Sequence, residues 1–228
     1  MERDCTDPAE REARLHGRPT YLQGRVWKEY GEHNFIPAFH PPDEWRRTLL
    51  IDPHEVKPTA VNWVACDDAR GKHYAYKEAD LTGDVEQICE QIKSMSCDER
   101  IDVILMDPSA HRRATIRGQG RMIDQFRKHL GGIVDANNNV SFGVDAVRRM
   151  VRQRPSGPLF YVMESCPITD FQMKNFSWKP PLVSGETRSK AEVFKKDDDH
   201  PDNIRYYFAS NPQRESEFEG FGIEVYAN

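Results

Sequence analysis

The sequence predicts an α/β domain built on a mixed sheet, and two observations carry that prediction. Three strand-like runs follow one another between Thr48 and Asp80, and beyond them helical and strand-like patterns alternate. Consecutive strands joined by short turns pair antiparallel, whereas strands separated by helices pair parallel, so the two halves of the pattern make the sheet mixed.

Each element has its own signal. "TLLID" (Thr48 to Asp52) is a short apolar run ending in an acid, the pattern of a buried strand. "TAVNWVACD" and "KHYAYKEAD" read as two further strands with "DARG" as the hairpin turn between them. "DVEQICEQIKSM" sets Val85, Ile88, Cys89 and Ile92 at helical spacing. "IDVILMD" is a second apolar run ending in an acid, and a helix from Arg121 to Leu130 stops at Gly131-Gly132, where a positive φ costs nothing. "GIVDANN" then reads as strand and turn, "GVDAVRRMVRQ" as helix, "PLFYVMES" as strand and "TDFQMKNFSW" as a short helix. "KPPLVSGETRSK" is a loop poor in apolar residues, "AEVFKK" a last short strand, and a final helix runs from Pro201 to Asn211-Pro212. Trp63, Tyr76, Phe160 and Tyr161 fall at core or half-buried sheet positions, and Glu78 and Glu164 at strand positions that either approach the site or, the favoured reading, face solvent. Residues 1–48 are dense in aromatics, Pro and Gly. They read as an arm, expected to pack against a neighbouring domain.

Composition excludes several classes. The 228 residues contain no run of eighteen apolar residues, hence no membrane-span signal, and the charged first residues lack a signal peptide's apolar core. Five cysteines, an odd number without a CxxC pair, point to reduced thiols in a cytosol-like compartment and away from zinc; Cys166 lacks the spacing of a nucleophile. The net charge of −5 hides an asymmetry: the stretch from Pro108 to Pro155 carries +7 and the remainder −12. A polyanion responds to that local field rather than to the mean.

The acids are the chemistry-bearing residues. Asp52 and Asp107 each end an apolar run, and ligands of open α/β sheets collect outside strand ends. Each also precedes a proline (Pro53, Pro108), as a simple turn former would. The stretch "FKKDDDHPDNIRYYF" puts Asp197, Asp198, Asp199, His200 and Asp202 at the threshold of the last helix. With Pro201 at the first helical position, Asp202 falls in the first turn and Asp199 just outside it. The positive end of a helix accounts for one or two such acids, at about 0.3–1 kcal/mol each. Four acids and a histidine within six positions ask for a cation as well, and hard oxygen ligands favour Mg²⁺ or Mn²⁺.

The strand-end pair with Asp199-x-x-Asp202 resembles the ribonuclease H-like nuclease superfamily. "DPAEREARLHGRPTYLQGRVWKEY", "LLIDPH", "YAYKEADL", "VILMDPSA" and "DHPDNIRYYF", in that order, look like the nuclease domain of a tailed-bacteriophage terminase large subunit, the DNA-packaging motor. The last is similar to that family's D-H-x-x-D-A-x-R-Y helix, with Asn203 in place of its usual alanine and the histidine displaced by one. The resemblance covers nearly the whole chain and implies a ribonuclease H-like sheet over residues 48–228, with residues 1–47 as a linker toward an ATPase domain. No G-x-x-x-x-G-K-[ST] phosphate loop is present.

What the resemblance implies about the site is specific. Asp52, Asp107, Asp199 and Asp202 would bind two divalent ions (Mg²⁺ or Mn²⁺) and catalyse endonucleolytic cleavage of double-stranded DNA, with His200 and Asp198 as accessory candidates and the fourth ligand open among Asp198, Asp199 and His200. Arg112, Arg113, Arg117 and Arg121, just beyond the Asp107 strand, would meet DNA phosphates. Lys179 to Lys190 would form a loop gating access. The implied partners are the ATPase domain, the portal and the small terminase subunit, met in the host cytoplasm at the procapsid portal vertex. A ribonuclease H-like resolvase or transposase, or a non-catalytic portal-binding domain, are the alternatives.

Overall fold

The computed structural model describes residues 24–96, 99–112, 120–179, 193 and 198–210. Seven strands, β1 (Phe35–Ile36), β2 (Arg46–Asp52), β3 (Thr59–Asp67), β4 (Lys72–Leu81), β5 (Val103–Met106), β6 (Ile133–Asp135) and β7 (Phe160–Met163), form one sheet in the order β1-β7-β4-β3-β2-β5-β6. The β2–β3–β4 meander is antiparallel, and β5, β6, β7 and β1 join in parallel. The mixed sheet is therefore as expected. Among the described residues five helices flank it: α1 (Val85–Met95), α2 (Met122–Leu130), α3 (Val140–Val151), α4 (Pro167–Asn175) and α5 (Asp199–Ser210).

Local chemistry sets the helix ends. Asp84 accepts from the Gln87 N–H while the Gln87 side chain accepts from the Asp84 N–H, a reciprocal box that opens α1. Asn139 caps α3 by accepting from Phe142 N–H at 3.1 Å. Gly131, at φ 85°, ends α2 in a conformation that an L side chain rarely adopts.

Strand alternation sorts the core into two layers. Leu50, Val64, Ala75, Leu105 and Val162 face α3, α4 and α5, whereas Leu49, Ile51, Val61, Trp63 and Met106 face α1 and α2. Alternation thus carries Asp52 and Asp107, one residue past Ile51 and Met106, to the face of Leu50 and Leu105. That is the face covered by α5.

Two expectations need correction, and a third lies almost wholly outside the described residues. The final helix opens at Asp199, so Pro201 is its third residue; the first turn has no intrahelical partners for its N–H groups, and proline is tolerated throughout it. Of "AEVFKK", only Val193 is described, in an isolated bridge to Trp178. The described part of the expected arm packs onto this same domain. Val26, Trp27 and Tyr30 are buried in the α3–α5 core, and β1 extends the sheet edge beside β7. Trp27 Nε1 donates to the Val144 carbonyl (3.0 Å), Tyr30 Oη to Asp170 (2.8 Å), and Asn34 Nδ2 to the carbonyls of Val151 (2.9 Å) and Phe160 (3.0 Å). Its aromatics find their partners in α3, α4 and β7, which no local pattern could announce. Among the described residues, no helix is long and apolar enough to cross a membrane.

Candidate metal and active site

The site is built on two adjacent strand ends. β2 and β5 pair in parallel with Ile51 opposite Met106, and Asp107 N–H continues the ladder by donating to the Ile51 carbonyl at 3.2 Å. Asp52 and Asp107 therefore stand side by side, one strand spacing (about 4.8 Å) apart. Both are buried, at 4% exposure, where a carboxylate persists only with partners. Asp107 also caps a 3-10 turn (Pro108–His111), accepting from the Ser109 N–H at 3.0 Å and from the Ser109 hydroxyl. Turn former and strand-end acid are thus the same residue.

α5 closes the site from above, packed across β2 and β3 and against α3 and α4. Every residue from His200 to Ala209 is buried, so its polar side chains take their partners from within the protein, with Asn203 Oδ1 and Arg205 Nη1 the buried atoms of this helix left without a hydrogen bond. Asp202, 3% exposed, accepts from Arg205 Nε at 3.0 Å. Burial, the largest single effect, lowers the Arg205 guanidinium, but the charge and hydrogen bonds of Asp202 and Tyr206 together outweigh it and the net shift is upward. The Tyr206 phenol is raised well above its ordinary range, first by burial and then by Asp202, Asp107 and Asp52. Those three carboxylates accordingly lie within electrostatic reach of one hydroxyl.

Asp199 joins from the helix start. His54 Nε2 lies 3.0 Å from Asp199 Oδ1 and 3.6 Å from Asp52 Oδ2, and the Lys57 ammonium contacts the same Asp199 oxygen. Burial pushes the Asp199 carboxyl up, but hydrogen bonds from His54 and Lys57 together with their charge bring it down to about 2. Ligand atoms of Asp52, His54 and Asp199 fall within 4.8 Å of one another, a spread that a cation about 2.1 Å from each ligand nearly spans. The carboxylate oxygens suit Mg²⁺ or Mn²⁺, and the one imidazole is a ligand that Mn²⁺ accepts more readily than Mg²⁺.

Solved structures similar to this chain include large terminases from several bacteriophages. The large terminase of a thermophilic bacteriophage matches 81% of this chain and 44% of its own, with a TM-score of 0.66 and 17% identity. The nuclease domain of the P22 large terminase matches 83% of this chain and 93% of its own (TM-score 0.63, 18% identity). The nuclease domain of the SPP1 large terminase, solved with bound Mn, matches 77% and 95% (TM-score 0.54, 16% identity). The chain has the fold of a large-terminase nuclease domain. It spans about half the length of the thermophilic phage's large terminase. No family model matches the sequence, and no curated protein matches it significantly.

Within this terminase nuclease fold, the remaining expected residues sort clearly. His200 is fully buried, with Nδ1 2.9 Å from Asn62 Oδ1 and Nε2 3.2 Å from Asp80 Oδ1, so it serves the β3–β4 side of the helix. Asn203 donates to the Ala60 carbonyl and to Asn62. Asp198 is buried just before α5, and its carbonyl accepts the first helical bond from Asp202 N–H at 2.9 Å. Arg112 is exposed beyond the Asp107 turn, and Arg121 is exposed and paired with Asp124 at 2.8 Å. Arg113, Arg117 and all of the Lys179 to Lys190 loop but Lys179 lie outside the described residues. Glu164 is exposed as expected, but Glu78 caps α4, accepting from the N–H groups of Ile168 and Thr169 at 2.7 Å each. Cys66 and Cys89 are buried, their thiols pushed up to about 12 chiefly by burial, and Cys166 is buried likewise.

Sequence reasoning missed His54 and Lys57. Their one local signal was "DPHEVK", a histidine two residues past a strand-end acid. Asp135, at the end of β6 beside Met106 and 2.9 Å from His111 Nε2, is a further acid on the same edge.

Proposed function

We propose that this chain is the nuclease part of a tailed-phage large terminase, a divalent-metal-dependent endonuclease that cleaves double-stranded viral DNA during genome packaging. The observation that carries it is the convergence of Asp52 and Asp107 on neighbouring strand ends with Asp202 and Asp199 from a buried helix laid across them. Four carboxylates gathered in a largely buried place, around one tyrosine and one histidine, make a site for cations rather than a stabilising feature.

Asp52 would contribute to both ions, Asp107 to one, and Asp199 and Asp202, with His54, to the other; the ligand atoms of Asp52, His54 and Asp199 lie within 4.8 Å of one another. Bound there, two divalent ions would supply the activation of water and the stabilisation of a leaving 3′-oxygen that phosphodiester hydrolysis needs. The chain's own contribution is orientation. Arg205 occupies Asp202 Oδ1, and Ser109 fixes Asp107. Arg112, Arg113, Arg117 and Arg121 would bind phosphates with little sequence information and with strong salt dependence. An acid-lined site repels DNA until cations load it, so the isolated domain would be a weak and non-specific nuclease. Residues preceding the domain would lead to the ATPase part, and the portal and small subunit would be its partners in the host cytoplasm.

The test is cleavage of supercoiled plasmid with Mn²⁺, Mg²⁺ or EDTA by the wild type, Asp107→Ala and Asp202→Asn. Metal-dependent nicking and linearisation lost in both variants is the expected outcome. Cleavage that survives both substitutions would place the site elsewhere.

A further inference from the structure

One of the candidate metal ligands already has a cation on it. Lys57, on the loop between β2 and β3, places its ammonium on Asp199 Oδ1, the oxygen that also faces His54 Nε2 at 3.0 Å. We propose that Lys57 is the resident counter-ion of the metal-free centre, displaced from Asp199 when a divalent ion loads and then engaging a phosphate of the DNA backbone. This rests on the nuclease reading above.

The two states follow from charge and reach. Without metal, Asp199 must stay ionised beside Asp52 and close to Asp202, and like charges this near favour a cation among them. Lys57 supplies one, its ammonium in contact with Asp199 Oδ1, while His54 Nε2 lies 3.0 Å from the same oxygen. A divalent ion competes for the same oxygen and repels the ammonium, so the two do not share Asp199. Leaving costs Lys57 little. Its side chain is 51% exposed, it rides on a flexible four-carbon stem, and a solvent-exposed ion pair is worth only about 0.2–1 kcal/mol. The loop bearing it follows directly from Asp52, so the displaced ammonium stays at the edge where a DNA backbone must pass to reach the acids. A lysine there holds the acids together before an ion binds and turns to substrate afterwards.

The experiment uses the whole chain and two readouts. Mn²⁺ affinity is measured by electron paramagnetic resonance without DNA, for the wild type, Lys57→Met and Asp52→Asn. Duplex binding is then followed by fluorescence anisotropy against salt, with Ca²⁺ as the supporting ion. Lys57→Met is expected to bind Mn²⁺ roughly two- to fivefold tighter, the release of a partly exposed ion pair. The slope of log affinity against log salt is expected to fall by about 0.9, one phosphate contact. Unchanged or weaker Mn²⁺ binding by Lys57→Met overturns the counter-ion role, and an unchanged slope overturns the transfer to phosphate. Wild type that binds no Mn²⁺, or Asp52→Asn that binds it undiminished, overturns the nuclease reading itself and this inference with it. Circular dichroism confirms the fold of each variant.

Discussion

Gly143 sits in the second turn of α3, and a methyl group there would meet the stem of Arg205. A Cβ built on Gly143 falls 2.5 Å from Arg205 Cγ and 3.3 Å from both Cδ and the Arg205 carbonyl oxygen. Two effects then compete in Gly143→Ala. Replacing glycine by alanine inside a helix gains about 1 kcal/mol from backbone entropy. Overpacking a filled site costs about 1–3 kcal/mol, and here the obstructing side chain cannot swing into solvent, being 2% exposed and bound to Asp202. Moving it also loosens a buried ion pair, whose complete rupture costs about 3–5 kcal/mol. The clash therefore wins, and the variant is expected to be destabilised by about 2 kcal/mol. At roughly 2–4 °C per kcal/mol for a domain of this size, Tm falls by about 4–8 °C. The assay is thermal and urea unfolding of Gly143→Ala, Arg205→Ala and the double variant. With Arg205 truncated the obstruction is gone, so adding Gly143→Ala in that background should stabilise, giving a coupling of about 3 kcal/mol. A Gly143→Ala protein as stable as the wild type, or additive effects in the cycle, would refute the argument.

Three further outcomes are expected. His73 is buried beside Tyr207 Oη at 2.8 Å, and burial chiefly, then Arg46, pulls its pKa down to about 4. A histidine depressed in the folded state stabilises fully above pH 6.5 and loses that contribution as pH falls from about 6.5 to 4, about 3 kcal/mol in all; urea midpoints across that window should drop in the wild type and much less in His73→Phe. Trp27→Ala removes a fully buried indole from the α3–α5 core and should cost about 3–5 kcal/mol by chemical denaturation, showing that residues before β1 belong to the same folding unit. Glu78→Gln keeps the shape but loses the charge that accepts three hydrogen bonds at the start of α4, including the Thr169 hydroxyl at 2.6 Å, and should lower stability by about 1–2 kcal/mol in the same measurement.

What could be read from the sequence was whatever repeats at short range. Short apolar and alternating runs marked β2 to β5, helical spacing marked α1, and a glycine pair ended α2, because alternation and 3.6-residue periodicity are properties of a few consecutive residues. Asp52, Asp107, Asp199 and Asp202 stood out for the same reason: each lies at the end of a recognisable element. β1 did not stand out. Two residues carry no period, and Phe35–Ile36 is a strand only because β7 offers an edge. The partners of Glu78 and His200 could not be read locally, since Thr169 and the Asn62–Asp80 pair lie 91, 138 and 120 residues away along the chain. His54 and Lys57 gained their place in the same way. They are loop residues whose significance arises when α5 lays Asp199 beside them. Short-range periodicity therefore determined which elements form and which acids end them. The tertiary structure alone decided which of those acids share a site, because a buried charge takes its partners from whatever the packing brings within reach.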